Sequence, residues 1–173
     1  ALYRLQKSRL CGYRKPRMSK SLKRVKAEME SLGLELEIIH KPDGTLTAQD
    51  AADALGVTVG QIVKSILFRV EGSDEHVLFL TSGDNQVDVA KAASVAGVKL
   101  ERADAASIRA WTGFAIGGVS PFGHLNPVRK FMDEYLLRYD VIWAAAGTPN
   151  HNFSINPNTL RDIGNVELAA FTL

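Results

Sequence analysis

Ser65-Ile66-Leu67-Phe68-Arg69-Val70, then Glu71-Gly72-Ser73-Asp74-Glu75, then His76-Val77-Leu78-Phe79-Leu80-Thr81 is the stretch on which the fold turns. Two runs rich in Ile, Leu, Val and Phe flank a polar linker containing a glycine, so residues 65–70 and 76–81 read as paired interior strands. Toward the N-terminus, Ser19 or Ser21 caps a helix reaching Leu32, with Leu22, Val25, Met29 and Leu32 at helical spacing and Gly33 as its stop. Residues 34–40 alternate apolar and polar, as a half-buried strand does, and Pro42-Asp43-Gly44 reads as a turn. Thr47 with Asp50 opens a helix over 48–55 that runs into Gly56, and 58–63 forms a short helical turn.

Toward the C-terminus, Asp88 caps a helix to Ala96, residues 98–101 are extended, and Asp104 caps a helix to Trp111. A glycine-rich stretch spans 113–123. Beyond Pro127, residues 128–131 are expected to be extended and 133–137 helical. Residues 140–146 form a buried strand, Gly147-Thr148-Pro149-Asn150 a turn, 153–155 a short strand, 156–163 a capped helix and 166–168 a last extended piece. Strands and helices interleave without a strict βαβ repeat, which predicts an α+β fold with a mixed sheet.

The 173 residues fit one domain with one sizeable core. No window approaches the roughly 18 consecutive apolar residues of a membrane span, and no secretory apolar run follows the basic start. The cytoplasm is the default compartment, and neither a membrane nor DNA is an expected partner. With Cys11 as the one cysteine, an intramolecular disulfide and a cysteine-based metal cage are both excluded. Charge is uneven: residues 1–26 hold ten basic and no acidic residues, leaving eleven basic against nineteen acidic in the rest. A pI near 8.7 therefore does not make the folded body a nucleic-acid binder. Met18 opens a stretch that reads like a natural bacterial start. Residues 1–17 are expected to be a disordered or non-native leader to a domain at 18–173; an RNA-touching arm and an organelle-targeting peptide are the rival readings.

No His-Glu-x-x-His, paired-cysteine or Gly-x-Ser-x-Gly motif is present, and His40, His76, His124 and His151 lack metal-ligand spacing. No cofactor or metal is expected. Two features remain. Gly117-Gly118-Val119-Ser120-Pro121-Phe122-Gly123-His124 is a loop whose glycines allow close backbone approach, so it either offers amide donors to a carbonyl oxygen or simply joins two elements. Lys64, at the mouth of the first strand, either holds a phosphate or polarises an ester, or is a solvated strand-end lysine.

Taken in order, residues 61–68, Gly83-Asp84 with Val87-Asp88, Ala103-Asp104, Thr112-Gly113-Phe114, Gly117 to Gly123 and Ala145-Ala146-Gly147-Thr148-Pro149 closely resemble the YbaK/ProX family of aminoacyl-tRNA deacylases and prolyl-tRNA synthetase editing domains. The resemblance covers about residues 19–170. It implies a mixed, barrel-like β core surrounded by helices, with a pocket between Lys64 and the Gly-x-x-x-Pro loop, here Gly117, Gly118, Ser120 and Pro121. It further implies that the lysine approaches the 3′-terminal adenosine while the loop backbone holds the ester, with no protein nucleophile or metal. Phe122, Gly123, His124, Asp84 and Thr148 lie in or beside the same stretches and are expected at the substrate-binding surface; His124 is not assigned as a base. The implied partners are the aminoacylated 3′ end of tRNA and an aminoacyl-tRNA synthetase, with Lys64, Lys91, Arg129 and Lys130 as local phosphate contacts on an acidic body. The attacking group is left open among water, a substrate hydroxyl and a substrate thiol. A non-catalytic module that binds aminoacyl-tRNA or a synthetase is the alternative, and retention of Lys64 and the glycine loop favours the enzyme. A hydrolase of small esters or nucleotides is the weaker third reading.

Overall fold

The computed structural model describes residues 18–41 and 47–173; the expectations for residues 1–17, Cys11 and the 42–44 turn lie outside the described residues. Local signals place the helices. Ser19 caps Lys20–Ser31 (α1), and a reciprocal Thr47–Asp50 capping box opens Ala48–Leu55 (α2). Asp88 caps Val89–Ala96 (α3), Asp104 caps Ala105–Thr112 (α4), and Asn156 caps Pro157–Ile163 (α5). In each case a side-chain oxygen takes up backbone N–H groups that the first helical turn leaves without partners.

The strands are Ile38–His40 (β1), Val63–Val70 (β2), His76–Ser82 (β3), Leu100–Arg102 (β4), Arg129–Asp133 (β5), Ile142–Ala145 (β6), His151–Ile155 (β7) and Glu167–Ala169 (β8). The predicted pair is β2–β3, antiparallel with Lys64 opposite Thr81 and Phe68 opposite Val77. It lies within a five-stranded mixed sheet of order β4-β2-β3-β5-β8, in which β3–β5 and β5–β8 are parallel. The strand expected over 34–40 contracts to Ile38–His40, the residues that find partners on β7. The residues expected to be helical after β5 form a 3-10 helix at Glu134–Arg138.

Every residue of β3 is buried, because both faces of the larger sheet are covered. On one face Leu78 and Leu80 pack with Leu22, Val25 and Met29 of α1 and with Phe114, Phe122 and Phe153. On the other, Val77 and Phe79 pack with Phe131, Phe171 and Ala92 and Ala96 of α3. A second, three-stranded antiparallel sheet of order β1-β7-β6 completes the body. Among the described residues the two sheets are linked by one parallel bridge, Ile62 to Trp143, and no closed barrel forms. The expected barrel-like core is therefore a mixed α+β fold of two sheets. α2 sits over the junction, with Ala51 and Ala52 against Ile62 and Trp143.

Candidate functional site

Where the sheets part beyond the Ile62–Trp143 bridge, a cavity of about 420 Å³ opens. β2 supplies Val63, Lys64, Ser65 and Ile66; α2 and its cap supply Thr47, Ala48 and Ala51; the small sheet supplies Ala145 and Asn152. Ile116, Gly117 and Val119 close a further side, and Pro149 stands opposite Gly117. Gly117 has φ +86°, a left-handed conformation in which a side chain would be strained.

Lys64 is half-buried, and its Nζ donates to the Asn85 carbonyl. Burial lowers its pKa, and the nearby Asp133 and Asp84 carboxylates work against that shift. Asp133 is itself tied down, accepting from Asn85 Nδ2 at 2.8 Å, Ser82 N at 3.2 Å and Tyr135 N at 3.0 Å. Lys64 thus belongs to an ordered polar cluster and is not a freely solvated strand-end lysine.

The glycine loop is held from behind by α1. Arg24 donates to the Gly123 carbonyl at 3.0 Å and the Gly113 carbonyl at 2.9 Å, Ser21 also donates to the Gly113 carbonyl, and Glu28 accepts from Gly123 N–H. A Cβ on Gly123 would stand 2.7 Å from Val25 N, and one on Gly147 2.9 Å from the Ser21 backbone. Glycine at both positions lets α1 lie directly against the loops. Within the loop, the Gly118 amide donates to the Ala115 carbonyl, and Ser120 Oγ accepts from Phe122 N at 3.2 Å. His124 Nε2 lies 2.6 Å from the Ser120 carbonyl, a partner that only accepts, so Nε2 carries the ring proton. Burial pushes the His124 pKa down to about 4, with Lys130 and Arg24 adding to the effect against the Ser120 bond.

Of the residues expected at the site, Lys64 and Gly117 line the cavity together; the others do not line it. Gly118 abuts the Gly147–Thr148 backbone, where a Cβ would meet Thr148 Cα at 2.9 Å. Ser120 and Phe122 are fully buried, and Phe122 is part of the core. Pro121 is also buried, Gly123 faces α1, and His124 braces the loop from behind. Asp84 accepts from Tyr135 Oη at 3.2 Å, and Thr148 Oγ1 bonds His151 Nδ1 at 2.5 Å. Sequence reasoning missed Ser65, which follows Lys64 on β2, and Thr47, Ala48, Ala51, Pro149 and Asn152, which only the tertiary approach of α2 and the small sheet brings in. Ser65 and Asn152, polar residues each followed by an apolar one within a strand, were the signals available for two of them.

Among the described residues no group of three or more His, Cys, Asp or Glu side chains is placed to hold a metal ion. Among them, too, no helix is long and apolar enough to cross a membrane. Of the basic residues expected to meet phosphates, Lys130 approaches the Gly164 carbonyl and the Phe122 ring, Arg129 donates to the Ala96 carbonyl, and Lys91 to the Thr172 carbonyl. None of the three lines the cavity.

Residues 42–163 match the family model described as an aminoacyl-tRNA editing domain. An uncharacterized Bacillus subtilis protein, YwhH, is 30% identical over 82% of this chain and 90% of its own length. An Enterococcus faecalis protein named "Putative Cys-tRNA(Pro)/Cys-tRNA(Cys) deacylase EbsC" is 27% identical over 73% of this chain and 77% of its own. The proline–tRNA ligase of Lactiplantibacillus plantarum is 32% identical over 74% of this chain, a match to 22% of the ligase. A crystal structure described as "a putative trans-editing enzyme for prolyl tRNA synthetase" superposes with a TM-score of 0.84 at 40% identity, covering 91% of this chain and 99% of that one. The family match over most of the body and the structural likeness agree with the order of motifs read along the chain: the protein belongs to the YbaK-like family of aminoacyl-tRNA editing domains.

Proposed function

We propose that this protein is a deacylase that acts in trans on mischarged aminoacyl-tRNA, hydrolysing the ester at the tRNA 3′ end. The observation that carries this reading is the cavity at the parting of the sheets, whose lining includes one lysine, Lys64, and the glycine loop at Gly117. Membership of the editing-domain family and likeness to a protein described as a trans-editing enzyme support the same reaction class. In this reading Lys64 holds the terminal adenosine end through a phosphate or hydroxyl oxygen. The amides of Gly117 and Val119 face the ester carbonyl, since the Gly118 amide is already committed to Ala115. The attacking oxygen comes from water or from the substrate, and placement of the two reacting groups supplies much of the acceleration, on the order of 7–11 kcal/mol in the best oriented cases. A prolyl-tRNA synthetase is the partner most in keeping with the relatives, as the source of the mischarged tRNA.

The alternative of a non-catalytic module would be favoured by a cavity blocked by Phe122, and Phe122 instead packs in the core beside Phe153. Release of amino acid from a panel of mischarged tRNAs is the test. Turnover of at least one small aminoacyl ester is expected, and binding of aminoacyl-tRNA without turnover across the whole panel would establish the module instead.

A further inference from the structure

Most of the cavity wall is apolar: Ala48, Ala51, Ile62, Ile66, Val119 and Ala145 leave little to satisfy a charged ligand. Two polar side chains on it stand out. Asn152 is 6% exposed, its Nδ2 donates to the Ala144 carbonyl at 3.4 Å, and its Oδ1 is buried with no hydrogen-bond partner. The Nδ2 contact fixes the sense of the amide, because a carbonyl can only accept. Ser65 Oγ is likewise buried without a partner. Folded interiors pair nearly all such atoms, so two unpaired ones on the wall of one cavity mark a place for a donor brought by a ligand.

Every aminoacyl ester, whatever its side chain, carries one obligatory donor group, the α-ammonium. Taking that cation out of water demands acceptors. No residue of the cavity lining is Asp or Glu, and the one charged lining residue, Lys64, is itself cationic. Neutral oxygens must therefore receive it. We propose that Asn152 Oδ1, together with Ser65 Oγ on the lining of the same cavity, accepts from the free α-amino group of the aminoacyl moiety. The site would then distinguish aminoacyl esters from N-acylated ones such as formylated or peptidyl esters. This inference rests on the deacylase reading of the same cavity.

Binding of two non-hydrolysable probes tests it: 3′-amide-linked alanyl-adenosine with a free amine, and its N-acetylated form, each titrated calorimetrically. The wild-type protein is expected to bind the free amine at least about tenfold more tightly. Asn152→Leu should bring the two affinities within about threefold, whereas Asn152→Asp should widen the ratio by adding a countercharge. Equal binding of both probes by the wild-type protein would overturn the proposal and leave the deacylase reading standing. An undiminished ratio in a folded Asn152→Leu protein would do the same, because the discrimination would then be steric. If Asn152→Leu fails to fold, Asn152→Asp and Ser65→Ala carry the comparison with the same opposed directions. Failure of both probes to bind, with no ester cleaved from any tRNA, would instead sink the deacylase reading and this inference with it.

Discussion

At the scale of single residues, Lys64 and Ser120 separate placement from covalent chemistry. Lys64 lines the cavity and is steadied by the Asn85 carbonyl beside Asp133 and Asp84. Lys64→Ala should lower kcat/KM for deacylation at least tenfold, about 1.4 kcal/mol of transition-state stabilisation. Thermal stability should change little, since the cost of burying the ammonium outweighs the pull of the two carboxylates. Unchanged turnover in that variant would remove Lys64 from the reaction. Ser120, in contrast, is fully buried, and its Oγ is occupied in accepting the Phe122 amide. Ser120→Ala should therefore keep at least about a tenth of wild-type activity, because one hydrogen bond of this kind contributes about 1 kcal/mol. Rapid quench and mass spectrometry should find no acyl-Ser120 species. Lys64 and Gly117 were singled out in the sequence through the order of motifs that resembles the family, since residue type and spacing at each position alone left a purely structural role open. Which loop residues face the ligand was not legible. Gly118 and Gly117 are adjacent and chemically identical, yet one abuts the 147–148 backbone and the other borders the cavity.

At the scale of elements, what is local was readable and what is distant was not. Ser19, Asp88, Asp104 and Asn156 cap their helices through N–H groups two to three residues away, so a short window of sequence contains the whole interaction. The parallel pairing of β3 with β5, and the antiparallel pairing of β1 with β7 across more than a hundred residues, leave no such local mark. Nor does the clamp of α1 on the glycine loop, in which Arg24 and Glu28 grip Gly123. His124 adds a pH dependence to that loop. Its pKa falls from an ordinary 6.5 to about 4 in the fold, so between those values the unfolded chain binds the proton more readily than the folded one. Stability from this group is complete above pH 6.5 and is lost as the pH falls toward 4. Below that, both states are protonated and the loss stops. Thermal melts from pH 7 to pH 4 should show a steeper decline for the wild-type protein than for His124→Gln. Parallel curves would mean that the imidazole is as readily protonated inside the fold as outside it.

At the scale of the whole molecule, the question is how an acidic body engages a polyanion. Apart from residues 1–26, the chain carries eleven basic against nineteen acidic residues, so its long-range field repels tRNA. Lys91, Arg129 and Lys130 are occupied by backbone carbonyls away from the cavity. The exposed Lys20 and Lys23 of α1 remain, on the helix that braces the glycine loop, and the sequence before them adds Arg4, Lys7, Arg9, Arg14, Lys15 and Arg17. This segment is where phosphate contacts can accumulate. Each phosphate neutralised releases condensed counterions, giving a log–log salt slope of roughly −0.7 to −0.9 per contact. Deleting residues 1–17 should therefore weaken tRNA binding at low salt and flatten its salt dependence, while turnover of a short aminoacyl-adenosine ester stays unchanged. Filter binding across a salt series, with melts of both proteins in parallel, makes the measurement. An unaltered salt slope would transfer tRNA recognition to the body or to a synthetase partner, and a large drop in melting temperature would show that residues 1–17 contribute to the fold.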